Sequence, residues 1–218
     1  MPPNAGSIFA APDPITTSAR RPRLPGKRNV PFGVLAIQGD FREHLQALHR
    51  LGVDAVAVRT AAEVPAVHGL IIPGGESTTI GKLIHRYGLL EPIRQLAAEG
   101  KPLFGTCAGM IVMAKIIGSA ANDQPALNVM DIAVERNAYG RQVDSFEADI
   151  EVMGIQGGPM RAIFIRAPII TALDGAVEVL AEHDGRIVAA RQRNMLALSF
   201  HPELTDDLRL HEYFVNMS

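Results

Sequence analysis

KPLFGTCAGMIVMAK (residues 101–115) sets the only cysteine of the chain, Cys107, between two glycines. The apolar run up to Gly105 reads as a buried strand and the apolar run AGMIVMAKIIG (residues 108–118) as a helix, so the stretch is a strand-to-helix turn with a thiol at its apex. Gly105 and Gly109 suit such a sharp turn, in which close packing pushes the middle side chain out at the carboxyl edge of a sheet. There Cys107 meets the positive end of a helix beginning near Ala108, which favours thiolate, and the Ala108 N–H faces the space where an oxyanion would form. Two readings stay open for the thiol, a small core residue or a nucleophile, and the Gly-x-Cys-x-Gly setting favours the nucleophile.

The same alternation extends on both sides. FGVLAIQG is an apolar run ended by glycine, and DFREHLQALHRLG follows with apolar residues at Phe41, Leu45, Leu48 and Leu51, which predicts strand then helix. VDAVAVR and VHGLIIPGG supply two more strands, and STTIGKLIHRYG and LLEPIRQLAAEG two more helices. Strands alternating with helices imply a parallel sheet covered on both faces. After Gly118 the period shortens into MDIAVER, SFEADIEV, MRAIFIRA, AVEVLAEH, RIVAARQR and MLALSF, before a terminal helix in DDLRLHEYFVNM. These runs are expected to add antiparallel strands to the same sheet, giving an α/β, single-domain, doubly wound mixed but largely parallel sheet with helices on both faces.

Composition narrows the function classes. A hydrophobic fraction of 47%, a charged fraction of 20% and a net charge of −2 describe a globular chain with ample core material and no basic excess for nucleic acid. The chain has no tryptophan to serve as a stacking platform. No stretch approaches the roughly 20 uninterrupted apolar residues of a membrane helix. A single cysteine cannot close an intramolecular disulfide, so a reducing, cytoplasmic setting is expected. Residues 1–29 differ from the rest: they are proline-rich, without periodicity, and basic through Arg20, Arg21, Arg23, Lys27 and Arg28 against Asp13 alone. They read as a disordered extension rather than an amphipathic transit peptide, ahead of a catalytic domain over residues 30–218.

A thiol nucleophile needs a base. LSFHPEL ends an apolar strand with His201 and Glu203 two positions apart, which extended backbone puts on one face. His201 is then placed to take the Cys107 proton while Glu203 fixes the imidazole tautomer and stabilises its charged form. Alone, the pair reads equally as a strand-end histidine beside a solvated glutamate; beside a cysteine elbow the triad reading gains. IIPGGESTT (residues 71–79) is a strand, a glycine pair and a helix start that Ser77 or Thr78 could cap. It is either an ordinary loop or one whose Gly74 and Gly75 let backbone N–H groups complete an oxyanion hole with Ala108. His44, His49, His68, His85 and His183 are scattered without metal-ligand spacing, and His211 falls in the amphipathic terminal stretch as an expected helix-surface residue. No metal is expected.

PGGEST, GTCAG and HPE, in that order, resemble the class I (triad) glutamine amidotransferases. AIQGDFREH, GGESTTI, FGTCAGMI, VERNAYGRQVDSFE, FIRAP and HPELT are more closely similar to the glutaminase subunits that serve pyridoxal 5′-phosphate synthase, over nearly all of residues 32–217. The resemblance implies hydrolysis of L-glutamine to glutamate and ammonia through a thioester on Cys107, with no cofactor. It implies that Gly75, Glu76, Ser77, Arg136, Ile165 and Arg166 hold glutamine, which suits an arginine facing an α-carboxylate and a glutamate facing an α-ammonium. It further implies that Gln38 lies beside the oxyanion loop as an activation switch, where the plainer reading is a strand-end hydrogen bond. The implied partner is a (β/α)8-barrel synthase that receives the ammonia. Competing expectations are a triad glutaminase for another synthase, such as that of histidine biosynthesis, an inactive regulatory subunit whose oxyanion loop never closes, and a cysteine-based sensing module on a similar fold.

Overall fold

The computed structural model describes residues 30–118, 124–136 and 145–217. The expected N-terminal extension, most of RNAYGRQ and part of the GSAANDQPALN stretch lie outside the described residues.

The first half alternates as the periodicity predicts: β1 (Phe32–Leu35), α1 (Phe41–Arg50), β2 (Ala55–Val58), a 3₁₀ turn (Ala61–Ala66), β3 (Leu70–Ile72), α2 (Ser77–Arg86), α3 (Leu90–Ala98), β4 (Leu103–Thr106) and α4 (Ala108–Met113). The second half runs through β5 (Ala114–Gly118), β6 (Met130–Glu135), β7 (Ser145–Ile150), β8 (Met160–Ile165), β9 (Ile169–Leu173), β10 (Glu178–His183), β11 (Arg186–Gln192) and β12 (Met195–Leu198). A 3₁₀ turn at Pro202–Leu204 and α5 (Arg209–Val215) close the chain. The main sheet has the order β2-β1-β3-β4-β12-β11-β9-β6-β5, with β10 on β11.

From β2 to β12 the strands are mutually parallel, with Leu198 opposite Thr106 at the carboxyl end of the β12–β4 pair. The neighbours β1, β3, β4 and β12 therefore all release their loops at one edge, where open α/β sheets bind ligands. Alternate residues of these strands enter opposite cores. Leu35, Ile72, Leu103 and Ala197 pack with Ile80 and Ile84 of α2, Ile93 of α3 and Met110 of α4. Val34, Ile71, Phe104 and Leu198 pack instead with Leu48 of α1, Leu210 and Phe214 of α5, and Phe164 of β8. Burial of each such side chain stabilises the fold by roughly 1.5–3 kcal/mol before entropy is charged against it.

Two expectations are corrected, and one strand is added. The helix expected through residue 118 ends at Met113, because Ala114 turns extended (φ −64°, ψ 148°) and Ile116 and Ile117 pair in parallel with Ala133 and Val134. An all-apolar run has no polar face, so its period could not mark that boundary. The antiparallel strands do not all join one sheet, since β7 and β8 form a separate two-stranded sheet. Residues 169–173, IITAL, form β9, which links β11 to β6 and which the sequence reading passed over.

The glycines flanking Cys107 answer to packing. A Cβ on Gly109 would run into the Ile72 carbonyl oxygen, and one on Gly105 would stand 2.6 Å from Met113 Sδ and 2.8 Å from the Met110 nitrogen. The two glycines let α4 fold back against β3 and β4 at backbone distance. Gly109→Ala is expected to cost roughly 3 kcal/mol, since its obstacle is backbone that cannot swing aside. Urea unfolding checks this, and a loss under 0.5 kcal/mol, on the order of a neutral surface change, would contradict the packing argument.

Candidate active site

Cys107 leaves β4 with φ 48° and ψ −101°, a backbone region that a residue with a Cβ occupies only under strain. Its N–H donates to the Leu198 carbonyl at 2.8 Å, so the β12–β4 ladder holds the bend. The side chain is 8% exposed, and its sulfur lies 3.9 Å from the Ile165 carbonyl oxygen. The thiol thus reaches the edge of the sheet while the backbone beneath it is fixed.

His201 follows β12, with its N–H bonded to the Ile163 carbonyl at 2.9 Å. Its ring Nδ1 meets Glu203 Oε1 at 2.8 Å, which leaves Nε2 for Cys107. Burial alone would lower the His201 pKa; hydrogen bonds to Cys107 and Glu203, and the charges those groups carry, outweigh it and raise the value to about 10. Burial pushes the Glu203 carboxyl up, against the hydrogen bond and charge of His201. The structure thus brings Cys107, His201 and Glu203 together in one line, with an imidazole that carries its proton at neutral pH.

The glycine pair after β3 lies over this line. A Cβ on Gly74 would stand 2.9 Å from His201 Nδ1, and one on Gly75 (φ 151°) 2.5 Å from Gln38 Oε1. Gln38 Oε1 accepts the Glu76 N–H at 2.9 Å, so this side chain ties the loop after β1 to the loop after β3. Asp40 N–H donates to the Gly74 carbonyl at 3.1 Å, a second tie between the same loops. Ala108 is buried at the start of α4, directly after the cysteine.

The expected glutamine-holding residues divide into two groups. Glu76 caps α2, taking the place expected of Ser77 or Thr78: Oε1 accepts from Thr78 N at 3.0 Å and Oε2 from Thr79 N at 2.7 Å and Thr79 Oγ1 at 2.6 Å. Partial burial alone would raise its carboxyl, but the hydrogen bonds from Thr79 and Thr78 hold it at about 2. Arg136 reaches toward this cap, with Nη2 3.6 Å from Glu76 Oε1 and Nη1 donating to Gln124 Oε1 at 2.8 Å and Thr78 Oγ1 at 3.3 Å. Ser77 is buried in the first turn of α2. Ile165 and Arg166 (φ 43°) stand on the other side, where β8 brings the Ile165 carbonyl to the thiol.

Four residues at the site escaped the sequence reading. Asp40 Oδ2 lies 3.9 Å from His201 Nδ1. Thr106, His44 and His211 form a buried chain behind Glu203, so His211 is not the surface residue expected: it is fully buried, as is His44. The signal available was the placement of both histidines on helices flanking the sheet, at positions an amphipathic wheel assigns to the core side. Asp40, His201 and Glu203 are the one trio among the described residues with ligand atoms close enough to share a cation. His201 Nδ1 already serves Glu203 there, and a cation would draw the base away from the sulfur.

Comparison with known proteins bears on this geometry. Residues 34–218 match the model of the SNO glutamine amidotransferase family. The chain is 55% identical over 184 residues to the pyridoxal 5′-phosphate synthase subunit PdxT of Carboxydothermus hydrogenoformans, covering 84% of this chain and 95% of that protein. It is 54% identical over 208 residues to the PdxT of Acidothermus cellulolyticus, covering 93% and 97%. A crystal structure of a glutamine amidotransferase superposes with a TM-score of 0.81 at 52% identity, over 85% of this chain and 97% of that one. PurLQS from Thermotoga maritima shares the fold at a TM-score of 0.60 and 16% identity, over 85% and 98%.

The histidines give stability a pH signature. Burial holds His211 at about 4 and His44 well below its ordinary value, the latter helped by the nearby His211 and His201. An unfolded histidine protonates near 6.5, so between about 6.5 and 4 the unfolded chain binds more protons and stability falls as pH falls. His201, with its raised pKa, has the opposite sign: its contribution is full below 6.5 and is lost as pH rises through about 10. For His211 the acid loss is on the order of 3 kcal/mol. Urea unfolding at pH 7, 5.5 and 4 is expected to show that fall, with a shallower slope in His211→Leu; equal slopes would contradict a neutral buried histidine.

Proposed function

The chain belongs to the SNO glutamine amidotransferase family, and we propose on that footing that it is the glutaminase subunit of a pyridoxal 5′-phosphate synthase. It hydrolyses L-glutamine to L-glutamate and ammonia, and the ammonia serves vitamin B6 synthesis. The observation that carries the chemistry is the line from Cys107 through His201 to Glu203 at the carboxyl edge of β4 and β12.

In this reading Cys107 is the nucleophile, His201 the acid and base, and Glu203 the group that holds His201 in its working tautomer. The sulfur, its proton passed to His201, adds to the carboxamide carbon of glutamine. The carbonyl oxygen gains negative charge facing the backbone at Gly75 and Ala108. Collapse of that adduct breaks the carbon–nitrogen bond as His201 returns the proton, releasing ammonia and leaving a thioester. Water, deprotonated by His201, then attacks the thioester; glutamate departs and the thiol is restored. Glu76, Ser77, Arg136, Ile165 and Arg166 surround the substrate, Arg136 offering its guanidinium to the α-carboxylate.

Gln38 is the switch in this reading. Its grip on the Glu76 N–H supports the assignment, because the loop that carries Gly75 cannot rearrange without releasing it. Docking of a (β/α)8-barrel synthase would supply the energy for that rearrangement and couple glutamine hydrolysis to an acceptor for ammonia. Catalysis in the cytoplasm fits a chain in which, among the described residues, no helix is long and apolar enough to cross a membrane.

The test is glutamate release from L-glutamine by the chain with and without a pyridoxal phosphate synthase barrel from the same source. Strong stimulation is expected, and activity indifferent to the barrel would point to another acceptor. Cys107→Ala is expected to lose at least ~10³-fold in kcat while still binding the barrel; full activity would remove the nucleophile assignment. Arg136→Ala is expected to raise KM about tenfold or more with a smaller effect on kcat, and an unchanged KM would count against its contact with substrate.

A further inference from the structure

Glu203 offers two oxygens, and the triad uses one. Oε1 meets His201, whereas Oε2 is buried with no hydrogen bond of normal length. Nε2 of His44, on α1, lies 3.5 Å from it. The same His44 nitrogen lies 3.1 Å from Thr106 Oγ1, one residue before the cysteine. Its other ring nitrogen, Nδ1, lies 2.9 Å from Nε2 of His211 on α5. Two helices on one face of the sheet thus converge behind the triad acid. Phe104 stands edge-on to both rings, 5.9 Å from His44 and 5.7 Å from His211.

The placement of protons follows by elimination. His211 Nδ1 is buried without a partner, and a bare ring nitrogen tolerates that better than an N–H, whose hydrogen would be left unsatisfied. The His211 proton therefore sits on Nε2 and is donated to His44 Nδ1. That obliges His44 to carry its own proton on Nε2, facing Thr106 Oγ1 and Glu203 Oε2. The reverse arrangement would orphan an N–H on His211 and turn a ring lone pair toward a carboxylate. Both rings stay neutral through burial. The other charged groups facing this acid are His201 and, from the loop after β1, Asp40.

We propose that His44, its tautomer set by His211, is a positioning residue whose Nε2–H, bonded to Thr106 Oγ1, sets its dipole 3.5 Å from the free oxygen of Glu203 and so keeps the triad acid ionised and aligned on His201. The inference rests on the glutaminase reading above. Without that dipole the Glu203 carboxylate protonates more readily, and the tautomer of His201 is no longer fixed.

Two measurements test it. Ring ¹⁵N shifts of the full chain at pH 7 report the tautomers directly: His44 and His211 are both expected as Nε2–H, and an Nδ1–H form at His44 would overturn the proposal whether or not the chain hydrolyses glutamine. Kinetics with the synthase present, on variants checked for folding, give the second readout. His44→Leu is expected to lower kcat about tenfold or more at nearly constant KM, and to move the acidic limb of kcat/KM to higher pH. His44→Gln, whose amide nitrogen restores a donor near Nε2, is expected to recover most of the rate and the limb. Leu and Gln variants equally impaired, or a Leu variant with an unmoved limb, would reduce His44 to packing. An inactive wild type with Nε2–H tautomers would instead count against the glutaminase reading alone.

Discussion

The hydrogen bond from Cys107 N–H to the Leu198 carbonyl is the joint on which the site depends. It is the last rung of the parallel β12–β4 ladder, placed where one strand must bend sharply into α4 and the other must run on three residues to His201. A positive-φ cysteine is costly by itself. Fixed on both sides, by this rung and by the approach of Gly105 and Gly109 to their neighbours, the bend is over-determined, and the strain sets where the thiol points. The histidine arrives from the loop after the adjacent strand, where its own N–H is bonded to the Ile163 carbonyl, so backbone hydrogen bonds hold both groups.

Much of this was legible in the sequence, because the elements concerned have simple periods and the motifs have local geometry. The alternation from FGVLAIQG to KPLFG gave the parallel half of the sheet, and the glycines around Cys107 gave the turn. Less legible was whatever depended on contacts across the sheet. The run AGMIVMAKIIG is apolar throughout, and nothing within it says that residue 114 leaves the helix to pair with β6. The stretch GGESTT carries two good cap residues, yet the longer glutamate before them reaches both Thr78 and Thr79 amides and takes the cap. His44 and His211 stand far apart in the chain, and their meeting behind Glu203 is a property of helix placement.

Both faces of the sheet carry an apolar core, and on one of them three polar side chains are set into it. Beneath Ala108, the side chains of α2, α3 and α4 form a hydrocarbon core. Behind Glu203, one hydroxyl and two imidazoles run from Thr106 through His44 to His211, with Phe104 edge-on to both rings. The side behind Glu203 thus holds neutral, hydrogen-bonded rings within its core, while the side beneath the strained turn is hydrocarbon.

The segment that leaves the nucleophile also governs the guanidinium. From Cys107 the chain passes through α4, six buried residues without a loop, straight into β5, which lies parallel to β6 at the far edge of the sheet; Gly118 stands opposite Glu135, and Arg136 comes next. Cys107 and Arg136 are thus joined through α4 and the outermost pair of strands, so the spacing of thiol and guanidinium depends on the β5–β6 register. Ile116 is exposed on that edge, whereas Cys107 is held inside the sheet by its bond to Leu198, so the two ends of this segment stand in different surroundings.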